Sequence, residues 1–197
     1  MKNIEKILFV FIIILLSFNI FLYFQCKKHI LIIDRMQSQF KTEANKNTIL
    51  SQLNELQFRS EGIQIGKKIL KCSNDSLIQM NNLIINSNSI FVIRYSSISC
   101  KTCLNKTIEL VKEILEPIND KVIFLAKYSS SKDITDFEKF NQLKYPIYNI
   151  DENITPSDSL NSFYFFCLDF QGYTSKIFIP QESNVKLTRI YLNHIRK

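Results

Sequence analysis

The sequence of 197 residues contains no tryptophan, three glycines and four prolines. Such a low glycine and proline content excludes a collagen-like chain and a glycine-rich low-complexity chain. Hydrophobic residues make up 46% of the chain and charged residues 22%, a balance that excludes a disordered protein. The length suits one domain of ordinary size with an additional segment, and it is too short for two full domains.

Blocks of basic residues are also absent, although 25 Lys and Arg give the chain a net charge of +7. The basic residues are spread along the sequence without a long run. A nucleic-acid-binding protein concentrates its positive charge in one patch or stripe. We therefore interpret the charge as ordinary surface charge and expect no nucleic-acid partner.

One long apolar run lies near the N-terminus, at residues 7–24 (ILFVFIIILLSFNIFLYF). A helix of this length extends about 27 Å, close to the hydrocarbon thickness of a bilayer. Large residues follow the run, whereas a cleaved signal peptide has a shorter apolar core and small residues before its cleavage site. Gln25 is also a poor match to the small residue that precedes a lipoprotein cysteine, here Cys26. We therefore predict an uncleaved membrane anchor at residues 1–25, in contact with the lipid bilayer through residues 7–24.

The next segment, residues 26–60, is polar and contains neither glycine nor proline. Its apolar residues recur at steps of three and four, a pattern typical of a helix. We predict a helical stalk; a coiled-coil dimer is the alternative, but it would require a sustained heptad. Gly62 and Gly66 then interrupt the chain, so we place the globular domain at residues 61–197.

Predicted strands and helices alternate along this domain. Runs of β-branched and aromatic residues predict strands at residues 63–72, 89–95, 121–126, 145–150, 163–168 and 173–179. Apolar periodicity predicts helices at residues 76–85, from residue 103 to Pro117, and from residue 134 to 143. A final helix closes the chain. This order predicts an α/β fold, a three-layer sandwich with a central mixed β-sheet.

The expected apolar faces of these helices are also specified by the sequence. We expect each face to pack against the sheet. The faces consist of Leu104, Ile108, Val111 and Leu115 in the helix from residue 103 to Pro117, Ile134, Phe137, Phe140 and Leu143 in the helix at residues 134–143, and Leu187, Ile190, Tyr191 and His194 in the final helix.

A C-x-x-C motif lies where the predicted central strand meets the following helix, in the sequence Ser99-Cys100-Lys101-Thr102-Cys103. A gap of two residues at a helix N-terminus brings both sulfurs within bonding distance. The free N–H groups and the positive end of the helix dipole favour a thiolate at the first sulfur, and Lys101 adds a positive charge. Only a thiolate attacks a disulfide. We therefore predict that Cys100 is the nucleophile and that Cys103 resolves the mixed disulfide.

Metal binding and a structural disulfide are alternative roles for the cysteine pair. A metal site, or a copper-delivery site, would need further ligands, yet the sequence has no second C-x-x-C pair and both His29 and His194 lie far from the motif. A structural disulfide is the remaining alternative, although a motif that opens a helix after a buried strand is more typical of redox chemistry. We expect no metal and no cofactor. Cys72 and Cys167 lie alone in apolar runs and are predicted to be buried as small apolar side chains.

The order of elements from residue 61 to 197 resembles that of the thioredoxin-like fold. The matching features are a strand, the C-x-x-C motif, a helix, a strand, a helix, and a β-hairpin at Asp169–Gly172 before the last helix. With its N-terminal anchor, the chain looks most like the membrane-tethered bacterial thiol-disulfide oxidoreductases of the TlpA-like group. The resemblance implies that Cys100 and Cys103 reduce or exchange disulfides in extracytoplasmic proteins, with protein disulfides or dithiols and an upstream electron donor as partners.

The resemblance also implies a location. A TlpA-like protein is a single-pass protein of the bacterial inner membrane with its C-terminal domain in the periplasm. The charges that flank the apolar run are weak evidence, because Lys2 and Lys6 on one side are opposed by Lys27 and Lys28 on the other. Long downstream domains translocate largely regardless of such charges. The dithiol motif is the stronger indication of a site outside the cytoplasm.

Three positions near the motif depart from the family pattern. Ser99 precedes the first cysteine where the family usually has tryptophan, and Arg94 replaces an acidic or amide residue of the central strand. Phe163, after Ser162, takes the place of a cis-proline that helps to dock the substrate backbone. A cis bond before any residue but proline costs about 2.5–4 kcal/mol, so we expect a trans peptide there. These departures favour an alternative, a membrane-tethered binding or redox-sensing module without catalytic activity.

Overall fold

The computed structural model describes residues 2–72, 75–84, 88–96, 99, 101–128, 130–160, 162–181 and 184–196. The chain divides into two compact units, Met1–Gln52 and Leu53–Lys197. Helix α1 extends over Lys2–Arg59, so its last two turns belong to the second unit. None of the helices, taken over the described residues, combines the length and the apolarity that crossing a bilayer requires. The side chains of residues 7–14, the first part of the predicted span, lie outside that description.

The second unit is built from short strands and amphipathic helices. Its strands are β1 (Ile69–Lys71), β2 (Leu77–Gln79), β3 (Ser89–Ser96), β4 (Val122–Lys127), β5 (Ile147–Asn149), β6 (Tyr164–Asp169) and β7 (Thr174–Phe178). The helices that follow α1 are α2 (Lys101–Leu115), α3 (Ser131–Asn141) and α4 (Val185–Arg196). Short 3₁₀ helices lie at Met80–Leu83, Glu116–Lys121 and Pro156–Leu160.

The strands form one mixed sheet in the order β2-β1-β5-β4-β3-β6-β7. Strands β3, β4 and β5 are parallel to one another, whereas β6, β7, β1 and β2 pair with their neighbours in antiparallel orientation. Parallel neighbours need crossover connections, and α2 and α3 supply them. The predicted α/β class and mixed sheet are thus confirmed, and the arrangement fits the expected thioredoxin-like fold.

Strand β3 is an interior strand of the sheet, between β4 and β6, and is covered on both faces, which explains its continuous apolar sequence. On one face Phe91, Ile93 and Tyr95 pack in a core formed with α2, α3 and α4. On the other face Ile90 and Val92 pack in a second core, against the end of α1 and the short helices. The face predicted for α2 is confirmed, because all four of its apolar residues are buried in the first core.

The end of α1 is part of the second core. Leu53 and Leu56 pack against it, and the amide of Gln57 donates a hydrogen bond to the carbonyl of Ile177. The hydroxyl of Ser60, at the end of the helix, lies 2.8 Å from the hydroxyl of Ser157, and both residues are fully buried. These contacts attach the last turns of α1 to the sheet.

Residues 76–85 contradict the prediction of a helix. Leu77–Gln79 form the edge strand β2, and a 3₁₀ helix follows at Met80–Leu83. Strand β2 pairs with β1, with Leu70 opposite Ile78. The pairing with a neighbouring strand, a tertiary contact, overrides the weak helical periodicity of this segment.

The predicted face of α4 is wrong except at Tyr191, which packs against the first core. Leu187 and Ile190 are 42% and 56% exposed, whereas Thr188 and Leu192 are buried. The sequence pattern predicts the helix correctly but places its buried face wrongly. Thr188 occupies a core position that the apolar pattern assigned to Leu187. In α3, Ile134 is buried as predicted, but Phe140 is 76% exposed.

Candidate active site

The C-x-x-C motif occupies the junction between the central strand and the first helix packed on it. Strand β3 ends at Ser96, and α2 begins at Lys101. Cys100 lies outside the described residues. Cys103, like Lys101 and Thr102, is described as helix backbone only. The predicted pairing of the two sulfurs and their roles therefore stay predictions, whereas their place at a strand-to-helix junction follows from the two elements.

The residue before the motif is held by a compact turn. Ser99 is buried, and its amide donates to the carbonyl of Ser96 at 3.0 Å. In return, the amide of Ser96 donates to the Ser99 hydroxyl at 3.1 Å. These reciprocal hydrogen bonds fix the backbone where it enters the motif.

Arg94 forms a buried ion pair instead of a proton-transfer group. Its Nε donates to Asp158 at 2.9 Å, and the other guanidinium nitrogens donate to the carbonyls of Ala126, Ile150 and Glu152. A guanidinium keeps its protons in proteins, so Arg94 cannot relay one. The residue joins the ends of β3 and β4 to the chain after β5.

Phe163 is buried in the apolar core on the α2 side of the sheet. Its ring centroid lies 6.1 Å from that of Phe165, and Leu104, which follows Cys103, belongs to the same core. Every peptide bond between described residues is trans. The expectation of a trans peptide before Phe163 is thereby confirmed.

A cavity of about 620 Å³ adjoins the motif, and we call it the α2–α3 cavity. The end of β3 and the start of α2 contribute Ser96, Ser99, Leu104 and Asn105. The segment after β4 and helix α3 contribute Tyr128, Asp133, Asp136, Phe137, Phe140 and Asn141. The cavity was not predicted from the sequence, because the helical pattern assigned Phe140 to the core and the aspartates had no predicted role. The repeat of Asp133 and Asp136 at a step of three, beside an extra phenylalanine, was the available signal.

The tyrosines near this cavity stay neutral. Burial raises the pKa of Tyr128, and the negative charge of Asp133 adds to the effect. Burial also raises the pKa of Tyr95 far above its usual range, and its hydroxyl has no hydrogen-bond partner among the described residues. Tyr95 stacks on Phe137, with ring centroids 4.4 Å apart. The rings of Tyr95 and Phe137 thus form an aromatic layer between β3 and α3.

The other cysteines of the second unit lie outside the motif in the sequence. Cys167, on β6, is buried as predicted, and burial raises the pKa of its thiol to about 11. Cys72, directly after β1, is only half-buried, so the prediction that it is buried was wrong. Within the described ranges, no group of three or more His, Cys, Asp or Glu side chains is placed to hold a metal ion.

Comparison with known proteins yields similarity at the level of structure. No family model and no curated protein matches the chain. The structure is similar to peroxidoxin BcpB from Mycobacterium tuberculosis, at 10% identity and a TM-score of 0.49, over 70% of this chain and 99% of that one. It is also similar to a candidate thiol-disulfide oxidoreductase from Bacteroides vulgatus, at 14% identity and a TM-score of 0.47, over 64% of this chain and 85% of that one. A secreted disulfide oxidoreductase from Mycobacterium tuberculosis matches 63% of this chain and 95% of its own length, at 10% identity and a TM-score of 0.43. The strand order and connections described above make the fold thioredoxin-like.

Proposed function

We propose that this protein is a thiol-disulfide oxidoreductase that acts on protein disulfides through Cys100 and Cys103. One observation carries the proposal: the C-x-x-C sequence occupies the step from the buried central strand β3 to the N-terminus of α2. At this place the free N–H groups and the dipole of α2 favour a thiolate. The turn made by Ser96 and Ser99 supports the backbone directly before Cys100.

The proposed reaction is a disulfide exchange in two steps. The Cys100 thiolate attacks one sulfur of the substrate disulfide, forms a mixed disulfide and releases the other substrate sulfur as a thiolate. The Cys103 thiolate then attacks the Cys100 sulfur, which releases the second substrate thiolate and leaves a Cys100–Cys103 disulfide. Two electrons pass to the substrate, whose two thiolates take up protons from water. A dithiol donor returns two electrons to the protein and completes the cycle; in the opposite direction the same steps oxidise a substrate dithiol.

We further propose that the protein is anchored in the bacterial inner membrane, with its C-terminal domain in the periplasm. The apolar sequence of residues 7–24 supports this proposal, together with a dithiol chemistry suited to extracytoplasmic disulfides. Fractionation of cells that express the full chain would place it in the membrane fraction after an alkaline carbonate wash. Protease added to spheroplasts would then degrade the C-terminal domain. Release by carbonate, or protection from the protease, would contradict the anchor or the orientation.

The catalytic proposal is tested with the full chain purified in a mild detergent. We expect the reduced protein to reduce a model protein disulfide, Cys100→Ser to abolish the activity, and Cys103→Ser to accumulate a mixed disulfide that a non-reducing gel detects. Cys72→Ser serves as the matched control, because it removes a thiol of the same unit outside the motif. Equal turnover by the wild-type protein and Cys100→Ser would overturn the proposal.

A second candidate is a non-catalytic binding or redox-sensing module, and two observations favour it. Arg94 lies in a structural ion pair where the family has a proton-transfer residue, and a trans peptide precedes Phe163. Such a module would keep a Cys100–Cys103 disulfide that resists dithiol reductants, and partner binding would persist in a Cys100→Ser/Cys103→Ser variant. The measured reduction potential of the pair distinguishes the two candidates.

A further inference from the structure

We propose that the α2–α3 cavity selects protein substrates that carry a lysine or an arginine beside the reacting cysteine. The inference deepens the proposed function and rests on it. Its basis is the position of the cavity next to the motif, its negative charge and its aromatic wall.

The α2–α3 cavity begins at the residues that flank the motif. Ser99 is bonded directly to Cys100, and Leu104 directly follows Cys103; both line the cavity. A polypeptide in disulfide exchange with Cys100 must present the residues next to its own cysteine to the surroundings of the motif. The volume of about 620 Å³ is ample for one long side chain and part of the backbone that carries it.

The charge of the cavity is negative. Asp133 and Asp136 line it, both are exposed, and neither takes part in an ion pair between described residues. The lysines of the same helix, Lys132 and Lys139, are not among the lining residues. A positively charged side chain would therefore find two uncompensated carboxylates on one face of α3.

The aromatic wall suits the same kind of ligand. Tyr128 and Phe137 are partly buried, while Phe140 is exposed on the cavity side although its position in the helical pattern belongs with the core. Lysine and arginine have apolar stems that pack on such rings and charged ends that interact with aromatic faces. An aliphatic substrate side chain would use the rings alone, and an acidic one would be repelled by the aspartates.

The general field of the protein opposes this selectivity. The chain carries a net charge of +7, which by itself attracts acidic partners. A preference for basic substrates must therefore arise locally, and among the described residues the α2–α3 cavity supplies negative charge next to the motif. This opposition makes the sign of the preference a sharp test.

The experiment compares two peptides that have the same sequence and the same internal disulfide, with lysines or glutamates flanking the cysteines. The reduced full chain in detergent is mixed with each peptide at low ionic strength, and the second-order rate of reduction is divided by the rate with free dithiothreitol. This division removes the effect of charge on the peptide disulfide itself. We expect a normalised lysine-to-glutamate ratio of about three to ten, decreasing as salt screens the charges.

The variants locate the effect. Asp133→Asn/Asp136→Asn is expected to bring the ratio to one or below, and Asp133→Lys/Asp136→Lys to invert it. Asp151→Asn is the matched control, because it removes an exposed carboxylate outside the cavity lining, and it should keep the wild-type ratio. Circular dichroism confirms that each variant is folded.

The outcomes separate this inference from the proposed function. A wild-type protein that reduces both peptides with a ratio of one overturns the selectivity and leaves the oxidoreductase intact. The selectivity is also overturned if Asp151→Asn lowers the ratio as much as Asp133→Asn/Asp136→Asn does. The ratio would then reflect the overall charge of the protein and not the charge of the cavity. A wild-type protein that reduces neither peptide, nor a protein disulfide, overturns both proposals.

Discussion

The Nε atom of Arg94 lies 2.9 Å from Oδ1 of Asp158, and the two side chains are only 1% and 6% exposed. Each of the two charged groups also has hydrogen-bond partners in the backbone. The remaining guanidinium donors reach three backbone carbonyls, and Oδ2 of Asp158 accepts hydrogen bonds from the amides of Ile154 and Thr155. The pair therefore connects β3 to the 3₁₀ helix at Pro156–Leu160, which contains Asp158.

Loss of one partner of this pair should destabilise the second unit strongly. We expect Arg94→Met to lower the free energy of unfolding by about 3–5 kcal/mol, because it leaves the Asp158 carboxylate buried without its counter-charge. Urea denaturation followed by circular dichroism measures the change. Arg189→Met is the control, since it breaks the exposed pair with Glu113 between α4 and α2 and should have little effect. Similar losses in the two variants would contradict the role assigned to Arg94.

The thiol of Cys167 should be inert in the folded protein. Burial raises its pKa from 9.0 to about 11, so at neutral pH its thiolate fraction is about a hundredfold smaller than that of an unshifted thiol. Because the pKa is raised, reactivity should increase only as the pH approaches 11. Alkylation with iodoacetamide between about pH 7 and 9, read by peptide mass spectrometry, should leave Cys167 unmodified. Unfolding in guanidinium should expose it, and rapid labelling without denaturant would contradict the prediction.

Two leucines of α4 should differ sharply in their effect on stability. Leu192 is fully buried, and Leu192→Ala should cost about 2–5 kcal/mol through lost burial and a cavity. Leu187 is 42% exposed, so Leu187→Ala should change the free energy of unfolding by less than about 1 kcal/mol. Chemical denaturation of both variants measures the difference. A larger loss of stability in Leu187→Ala than in Leu192→Ala would contradict this burial and support the face of α4 that the sequence pattern predicts.

The end of α3 offers a stabilising substitution. Gln142 caps this helix in the left-handed region, at φ 49° and ψ 48°, and its amide donates to the carbonyls of Glu138 and Lys139. Glycine adopts this conformation without strain, so Gln142→Gly should stabilise the protein by about 0.5–1 kcal/mol. Lys139→Gly, inside the last turn, should instead destabilise it by about 1 kcal/mol. Thermal unfolding distinguishes the two, and a loss of stability in Gln142→Gly would contradict the capping argument.

The parts of the fold that the sequence predicted are those with strong local signals. The apolar run of residues 89–95 predicts the central strand because both of its faces are buried. Strand β2 was missed because its three residues are held by pairing with β1, and no pattern within Leu77–Gln79 encodes that pairing. The buried position of Thr188 was missed for a similar reason, since its environment is set by contacts that are remote in sequence.

In the candidate site, too, local features were predictable from the sequence and long-range contacts were not. The place of the C-x-x-C motif was predictable from a strand-like run followed by a helical one. The partner of Arg94 was not, because Asp158 lies 64 residues further along the chain. The repeat of Asp133 and Asp136 was visible in the sequence, but the α2–α3 cavity that they line was not predictable, since it depends on the distance between α2 and α3.

The central position of β3 has a consequence for hydrogen exchange. Its residues Ile90–Tyr95 are buried, and the strand is bonded to β4 on one side and β6 on the other. Amides placed in this way exchange with deuterium only when the whole unit opens. The exchange rates of the slowest amides of β3 should therefore report the free energy of global opening. The segment that follows β3 in the sequence contains the two cysteines.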